Sequence, residues 1–295
     1  MYRQDEVITT TTHLNSARNN GRGDVWLAKM DMAFCRSGRL THRTLLGYKH
    51  QGPLRIQKAL YPEGDKCCHA VLIHPPGGIA AGDVLELNVK SGVQTHGLIT
   101  TPSATKWYGA DSNHIANQNV SFELNGALEW LPMESIVFNQ ARVESEIRVN
   151  ANAQSCMIGW DQLIFGRKYS GESFSEGSFK QSLRIELDDQ LIWHDRLVLK
   201  GSDELFSSPI GFRGHYSMAS MWALLKDEEM WSEEMLEEIR STTSRIAWTR
   251  IHPRLLVGRL LADPLILKSA VVNAWKILRP IVIGLPGIEP RIWAT

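Results

Sequence analysis

Cysteine and histidine side chains concentrate in one short stretch of the chain, which is the first candidate for chemistry. Cys67, Cys68, His69 and His74 are of the residue types that bind zinc, copper or nickel. If the stretch is a strand, Cys67 and His69 point to one face, while Cys68 and His74 point to the other. This alternation favours a core strand over a closed four-ligand site. Soft ligand pairs for a passing metal remain open, as does a metal- or thiol-dependent enzyme that uses Cys67, His69 and His74.

The motifs of nucleotide binding and of hydrolysis are missing from the sequence. The loop after this stretch, His74-Pro75-Pro76-Gly77-Gly78, lacks the lysine of a phosphate-binding loop, and no G-x-G-x-x-G opens a helix. No G-x-S-x-G nucleophile elbow and no H-E-x-x-H zinc helix occurs. The ten histidines are scattered along the chain. The sequence therefore disfavours an enzyme.

Composition sets the broad class of the protein. Lys plus Arg and Asp plus Glu number 32 each, so there is no basic field of the kind that binds nucleic acid. The four cysteines lack C-x-x-C spacing, which fits reduced thiols in the cytoplasm. No apolar run reaches the ~18 residues of a membrane span or signals export. We expect a polar, flexible tail over residues 1–24 and a single β-rich domain over residues 25–295.

Alternating apolar residues and turn signals predict many short strands. An apolar run at 70–73 and an alternating run at 84–89 flank the loop that begins at His74, which gives strand, loop and strand. Asn125-Gly126 and Asp188-Asp189-Gln190 each separate two strand-like runs, so we expect a hairpin at both. Helical patterns do not separate these strands. The predicted fold class is mainly β, a two-layer β-sandwich or β-helical arrangement of many short strands.

Two helices are predicted in the C-terminal third. Ser232 is the predicted N-cap of a helix that runs to about Thr243, with Glu233 in its first turn. Asp263-Pro264 starts a second helix, in which the proline occupies the first turn. Pro280 is expected to end that helix.

A series of short motifs runs along the chain in a fixed order. The motifs are Gly52-Pro53-Leu54-Arg55-Ile56-Gln57-Lys58, Tyr61-Pro62-Glu63-Gly64, His74-Pro75-Pro76-Gly77-Gly78, Gly82-Asp83, Thr100-Thr101-Pro102-Ser103-Ala104-Thr105-Lys106, Leu128-Glu129-Trp130-Leu131-Pro132, Gly159-Trp160-Asp161, Phe165-Gly166-Arg167, Gly171-Glu172-Ser173-Phe174, Trp275-Lys276-Ile277-Leu278-Arg279-Pro280 and Pro290-Arg291-Ile292-Trp293. Each motif alone is short, but the ordered set closely resembles the UreD family of urease accessory proteins.

The resemblance implies a non-enzymatic maturation factor. UreD proteins work with UreF and the GTPase UreG and bridge them to the urease apoprotein, so nickel would pass this chain in transit. UreG would carry the nickel and hydrolyse GTP. We therefore expect no tightly bound cofactor or metal, and UreF, UreG and urease subunits as partners.

The resemblance also implies an internal passage for nickel. Asp83, Thr105, Asp161 and Asp195 match its motif positions, with Thr105 where serine also fits and Asp195 where glutamate does. Each keeps an oxygen ligand suited to a hydrated divalent cation. From the residues alone, Asp83 and Asp161 are turn caps and Asp195 belongs to a solvated edge. A scaffold without any passage is thus a further alternative.

Three residues near the C-terminus are candidate interface anchors. Arg279, Arg291 and Trp293 are of the types that dominate binding energy at protein interfaces. Ordinary packing of the last helix is the alternative.

Overall fold

The computed structural model describes residues 26–38, 42–226 and 229–294. The tail predicted over residues 1–24 lies outside them. Two α-helices are described, α1 (Glu233–Thr242) and α2 (Pro264–Val282). The strands are β1 (Leu27–Arg36), β2 (Thr44–Gln51), β3 (Arg55–Leu60), β4 (Cys67–Ile73), β5 (Val84–Ser91), β6 (His96–Thr100), β7 (Thr105–Trp107), β8 (Ala116–Leu124), β9 (Ala127–Leu131), β10 (Ser135–Val137), β11 (Arg142–Ala151), β12 (Cys156–Arg167), β13 (Glu172–Ser173), β14 (Ser178–Leu187), β15 (Gln190–Lys200), β16 (Ser217–Leu224), β17 (Ala247–His252) and β18 (Leu255–Leu261).

These strands form two large sheets. The seven-strand sheet has the order β15-β14-β11-β8-β5-β1-β2. The larger sheet has the order β17-β18-β16-β12-β9-β6-β4-β3; outside this order, β10 and β13 pair with β12, and β7 pairs with β10. The fold is therefore mainly β, with its two helices in the C-terminal third, as the sequence predicts.

The middle of the chain winds as a β-solenoid. From β4 to β9 and on to β14, the long strands alternate between the two sheets, so each turn of the winding adds one strand to each sheet. Neighbouring strands within a sheet are consequently parallel, as in β5, β8, β11 and β14. Parallel strands usually require a crossover helix. Here a strand of the opposite sheet makes the return, and antiparallel strands close both ends.

Apolar side chains fill two layers. Between the two sheets, Phe122 of β8 packs edge-on against Trp130 of β9, with ring centroids 5.3 Å apart. The opposite face of the larger sheet is also buried, because α2 packs on β12 and β16. Trp160 and Trp275 belong to this second core. The larger sheet is therefore covered on both faces, and polar side chains on either face need partners.

The hairpin predicted at Asn125-Gly126 is wrong. Strands β8 and β9 flank this pair but belong to different sheets, so Asn125-Gly126 forms a corner of the solenoid. Neither residue has the positive φ that a type I′ turn requires. The hairpin predicted at Asp188-Asp189 is confirmed between β14 and β15, and both aspartates have positive φ, at 49° and 62°.

Gly126→Ala is expected to lower the free energy of unfolding by about 1–3 kcal/mol, which is typical of overpacking. An added Cβ would lie 2.3 Å from the carbonyl oxygen of Gly92, so the corner would have to open. Urea unfolding checks this. Gly47→Ala is the matched control, because its Cβ would meet nothing within 4 Å. Equal stability of the two variants would contradict the corner geometry.

Both helices begin at the predicted caps, but the second ends later than predicted. The Ser232 hydroxyl accepts a hydrogen bond from the Met235 N–H, and the Asp263 carboxylate accepts one from Leu265. Helix α2 passes through Pro280 and ends at Val282. Proline removes a single donor from the helix, and the carbonyls of Arg279 and Pro280 still accept hydrogen bonds further on. The prediction that Pro280 ends the helix is therefore wrong.

Candidate functional site

A cavity of about 120 Å³ lies between the two sheets. At roughly 10–15 Å³ for each water centre, it has room for several water molecules. Its wall carries apolar residues of both sheets and a set of polar side chains. The polar members are His74, Thr101, Ser103, Thr105, Gln118, Ser135, Ser145, Asp161 and Gln181.

Three of these polar residues form a row across the seven-strand sheet. Gln118 of β8, Ser145 of β11 and Gln181 of β14 are in register on neighbouring strands. Residues in register share a face of the sheet, and all three line the cavity. Two positions further along each strand the inward residues are apolar, as at Ile147. We call Gln118, Ser145 and Gln181 the polar row.

Asp161 faces the polar row from the larger sheet. Its carboxylate accepts a hydrogen bond from the Gln181 side-chain amide, so this contact joins the two sheets across the cavity. Burial raises the pKa of Asp161 to about 6, although hydrogen bonds from Gln181 and the Gln162 backbone oppose the rise. The cavity therefore carries an ionised carboxylate near neutral pH and loses this charge in mild acid.

Asp161→Asn is expected to stabilise the folded chain above pH 6. The pKa of Asp161 rises from 3.8 to about 6 on folding, so the folded state binds this proton more tightly and loses stability as pH rises between these values. Near pH 7 the variant should be more stable by at most about 3 kcal/mol. Urea unfolding across a pH series checks this. A stability difference that persists unchanged near pH 4 would contradict the raised pKa.

The other predicted passage residues occupy different positions. Thr105 lines the cavity with Asp161. Asp83 is buried beside it as a turn cap, because its carboxylate accepts the Ala80 N–H at 2.8 Å. Burial lowers the pKa of His74, and the charge of the Asp83 carboxylate partly counters this effect, so Asp83 is near a side chain that lines the cavity. The structure thus brings Thr105 and Asp161 together, with Asp83 adjacent.

Asp195 lies apart from the cavity wall. It sits on β15, and its carboxylate pairs with the Arg259 guanidinium of β18, so the contact spans the two sheets at their outer edge. Asp161, Ser220 and Arg259 are in register across the larger sheet. The Arg259 backbone is therefore about two strand spacings, roughly 10 Å, from the Asp161 position, and Asp195 is not among the residues that line the cavity.

The family-motif loop forms one side of the cavity. His74, Gly77 and Gly78 line it, whereas Pro75 and Pro76 are exposed. The Gly77 N–H donates to the His74 carbonyl at 2.9 Å and closes the turn with a positive φ of 76°. The two prolines and the glycine turn therefore hold His74 at the cavity.

Sequence reasoning missed the polar row and Trp107. Gln118 and Gln181 each lie two positions before an inward apolar residue of the same strand, Val120 and Leu183, and therefore point to the same face. A polar residue at such an inward position is the sequence signal that could have identified the row. Trp107 also lines the cavity and is 2% exposed, and its indole N–H has no hydrogen-bond partner among the described residues.

Two candidate interface residues are buried. Arg279 is 0% exposed, and Trp293 is 9% exposed and donates its indole N–H to Thr100 at 2.8 Å. The packing alternative accounts for both side chains. Arg291 is exposed, and its role in an interface stays a prediction.

The cysteine and histidine stretch divides as its strand alternation predicts. Cys67 belongs to the core beneath α2, whereas Cys68 belongs to the core between the sheets. His69 lies near Cys67, and His74 lines the cavity on the other face. Burial raises the pKa of the Cys67 thiol far above its usual range. A reactive thiolate acting with both histidines therefore does not fit this geometry.

The fold and the cavity define a β-solenoid protein with an internal cavity that is lined by oxygen-bearing side chains from two facing sheets. Among the described residues, no helix is both long enough and apolar enough to cross a membrane. Comparison with known proteins specifies the family. The family model of the UreD urease accessory protein matches residues 27–294. The chain belongs to the UreD family of urease accessory proteins.

Individual relatives agree over nearly their whole length. The chain is 38% identical to the urease accessory protein UreD of Pseudomonas paraeruginosa over 273 residues, which cover 92% of this chain and 95% of the relative. It is 39% identical over 275 residues to urease accessory protein UreD 2 of Pseudomonas syringae pv. syringae, with the same coverage. It is 37% identical over 276 residues to UreD of Dechloromonas aromatica, again over 92% and 95%.

Proposed function

We propose that this chain bridges UreF and UreG to apo-urease as a non-catalytic maturation factor in the cytoplasm, and that Ni²⁺ passes through its cavity. The observation that carries the proposal is the wall shared by Thr105, Asp161 and the polar row. These side chains offer oxygen atoms from two facing sheets. No resident cofactor is required by this role.

The donor set suits a cation that must leave again. Hydroxyl and amide oxygens are neutral and bind a hydrated divalent ion weakly, while one carboxylate supplies attraction. Transfer requires sites that are favourable enough to enter and weak enough to leave. The space for several waters allows part of the ion's hydration shell to be retained.

Asp161 would set the pH range of the passage. Its pKa of about 6 leaves it ionised near neutral pH and protonated below. Gln181 donates a hydrogen bond to the same carboxylate and fixes its orientation. An incoming cation would compete with this amide donor for one oxygen, so the interaction would stay reversible.

The proposal is tested by a pull-down with UreF, UreG and urease subunits, followed by the nickel content of the recovered urease. With the wild-type chain, we expect co-purification of all partners and nickel-loaded urease. Without the chain, the nickel content of urease should remain near that of the apoprotein. Equal nickel loading with and without this chain would overturn the proposal.

A scaffold without a passage gives a different outcome. In that case, cavity variants would assemble with the partners and would support full nickel loading. An enzyme that uses Cys67, His69 and His74 predicts turnover that the single substitution His74→Ala abolishes, whereas His74 and Cys67 lie on opposite faces of the larger sheet. Nickel loading of urease by cavity variants therefore distinguishes a passage from a scaffold, and the effect of His74→Ala on turnover tests the enzyme.

A further inference from the structure

A second polar group lies beneath α2, on the face of the larger sheet opposite the cavity. Its members are side chains that ligate transition metals, together with one guanidinium. They are Glu63, Cys67, His69, His96, Glu129 and Arg279. Both Glu129 and Arg279 are 0% exposed. We call this group the Arg279 cluster.

The potential ligands form two groups that share the Cys67 thiol. One contains Glu63 and His69, the other His96 and Glu129, and the ligand atoms of each group lie within 4.8 Å of one another. Metal–ligand bonds of about 2.0–2.3 Å separate the ligands of one ion by roughly 3–4 Å. Small side-chain shifts would therefore close either group on an ion. Thiolate, imidazole and carboxylate ligands suit Ni²⁺ or Zn²⁺.

The guanidinium of Arg279 already occupies the space between these groups. Its Nε donates to Glu129 Oε1 at 3.0 Å, and Nη1 and Nη2 donate to the Glu63 carboxylate at 2.6 and 2.7 Å. Nη2 also lies 3.9 Å from Cys67 Sγ. The same guanidinium stacks on the Trp275 ring. One buried cation therefore uses acceptors that a metal would need.

We propose that Arg279 is a built-in occupant of a transition-metal donor set and prevents this chain from retaining Ni²⁺ or Zn²⁺ beneath α2. A metal could bind there only after displacing the guanidinium. The displaced guanidinium would remain buried without its carboxylate partners, which is strongly unfavourable.

The ionisation states agree with this arrangement. Burial alone would raise the pKa of Glu63, but hydrogen bonds from His69 and Arg279 outweigh it and hold the pKa at about 2. Burial, together with the charges of Glu129 and Glu63, raises the pKa of Cys67. The carboxylates are thus ionised and pair with Arg279. The sulfur stays protonated, and a thiol is a poor metal ligand.

The cluster has a specific consequence for a protein that hands metal on. A buried site with thiolate and imidazole ligands would hold nickel more tightly than the oxygen-lined cavity. Because Arg279 occupies the donor set beneath α2, the ion can enter only the cavity, out of these two places. This consequence depends on the proposed function, whereas the exclusion of metal by Arg279 does not.

The test compares nickel retention by full-length chains after equilibration with Ni²⁺ and desalting. Nickel content and the near-ultraviolet sulfur-to-nickel charge-transfer absorption are measured. Wild type and Arg196→Met, a variant at an exposed arginine, should show no sulfur-bound nickel. Arg279→Met should retain stoichiometric nickel and show this absorption. In the double variant Arg279→Met with Cys67→Ser, the absorption should be absent.

Thermal unfolding covers the case in which Arg279→Met is unstable. Ni²⁺ should raise the Tm of Arg279→Met and leave that of the double variant with Cys67→Ser unchanged. Sulfur-bound nickel in the wild-type chain would overturn the proposal. So would an Arg279→Met chain whose nickel content and Tm are both unchanged by Ni²⁺. Failure of the wild-type chain to support nickel loading of urease would count against the proposed function alone. The nickel retention, absorption and Tm measured in this test do not involve urease.

Discussion

Glu129→Ala is expected to lower the free energy of unfolding by about 3–5 kcal/mol, as when one partner of a buried ion pair is removed. Glu129 accepts hydrogen bonds from His96, Trp275 and Arg279, at 2.8, 2.7 and 3.0 Å. Its removal leaves these buried donors without their acceptor. Chemical denaturation of the full-length chain measures the effect.

The matched control is a carboxylate in a surface ion pair. Glu146 pairs with Arg148 at 2.7 Å, but the Arg148 side chain is 59% exposed. Glu146→Ala should therefore cost less than about 1 kcal/mol. Equal losses of stability in the two variants would show that the buried ion pair between Glu129 and Arg279 stabilises the fold no more than a surface ion pair does.

Asp161→Asn is expected to slow nickel-dependent activation of urease by at least about tenfold while the complex with UreF still assembles. Asparagine keeps the size of the side chain and can still accept the Gln181 hydrogen bond, but it carries no charge. A unit charge attracts another at 4 Å by about 4 kcal/mol at an effective dielectric constant of 20. The substitution removes the only carboxylate on the described cavity wall, so this attraction for Ni²⁺ is lost. Urease activity after maturation measures the effect.

Asp111→Asn separates a cavity effect from a general loss of charge. Asp111 is exposed and is not among the cavity-lining residues. Urease activation by this variant should match the wild type. Normal activation by Asp161→Asn, in a complex of normal composition, would rule out a role for this carboxylate in nickel transfer.

The sequence predicts the strands better than their arrangement. Alternation along β1 places Met30 and Phe34 inside, and both are buried, because the side-chain period of a strand is a local property. Alternation does not say which sheet a strand joins. Asn125-Gly126 therefore suggests a hairpin, although its flanking strands pair with more distant neighbours.

The sites depend on contacts between distant residues. Glu129 and Arg279 are 150 residues apart along the chain, so neither motif predicts that its charge is buried against the other. The faces of Cys67 and Cys68 follow from alternation alone. The polar row could have been found from the parity of Gln118 and Gln181, but the facing position of Asp161 requires the solenoid winding.

The most direct test of a nickel passage is to fill it without removing its charge. Ser145 lies in the middle of the polar row, and Ser145→Leu would place an apolar side chain in the cavity. Ser182 is the control, because it borders a depression on the outer face of the same sheet. The measurement is the nickel content of urease matured with each complex. The passage predicts nickel near the level found without this chain for Ser145→Leu and wild-type loading for Ser182→Leu. Wild-type loading with an assembled Ser145→Leu complex would contradict it.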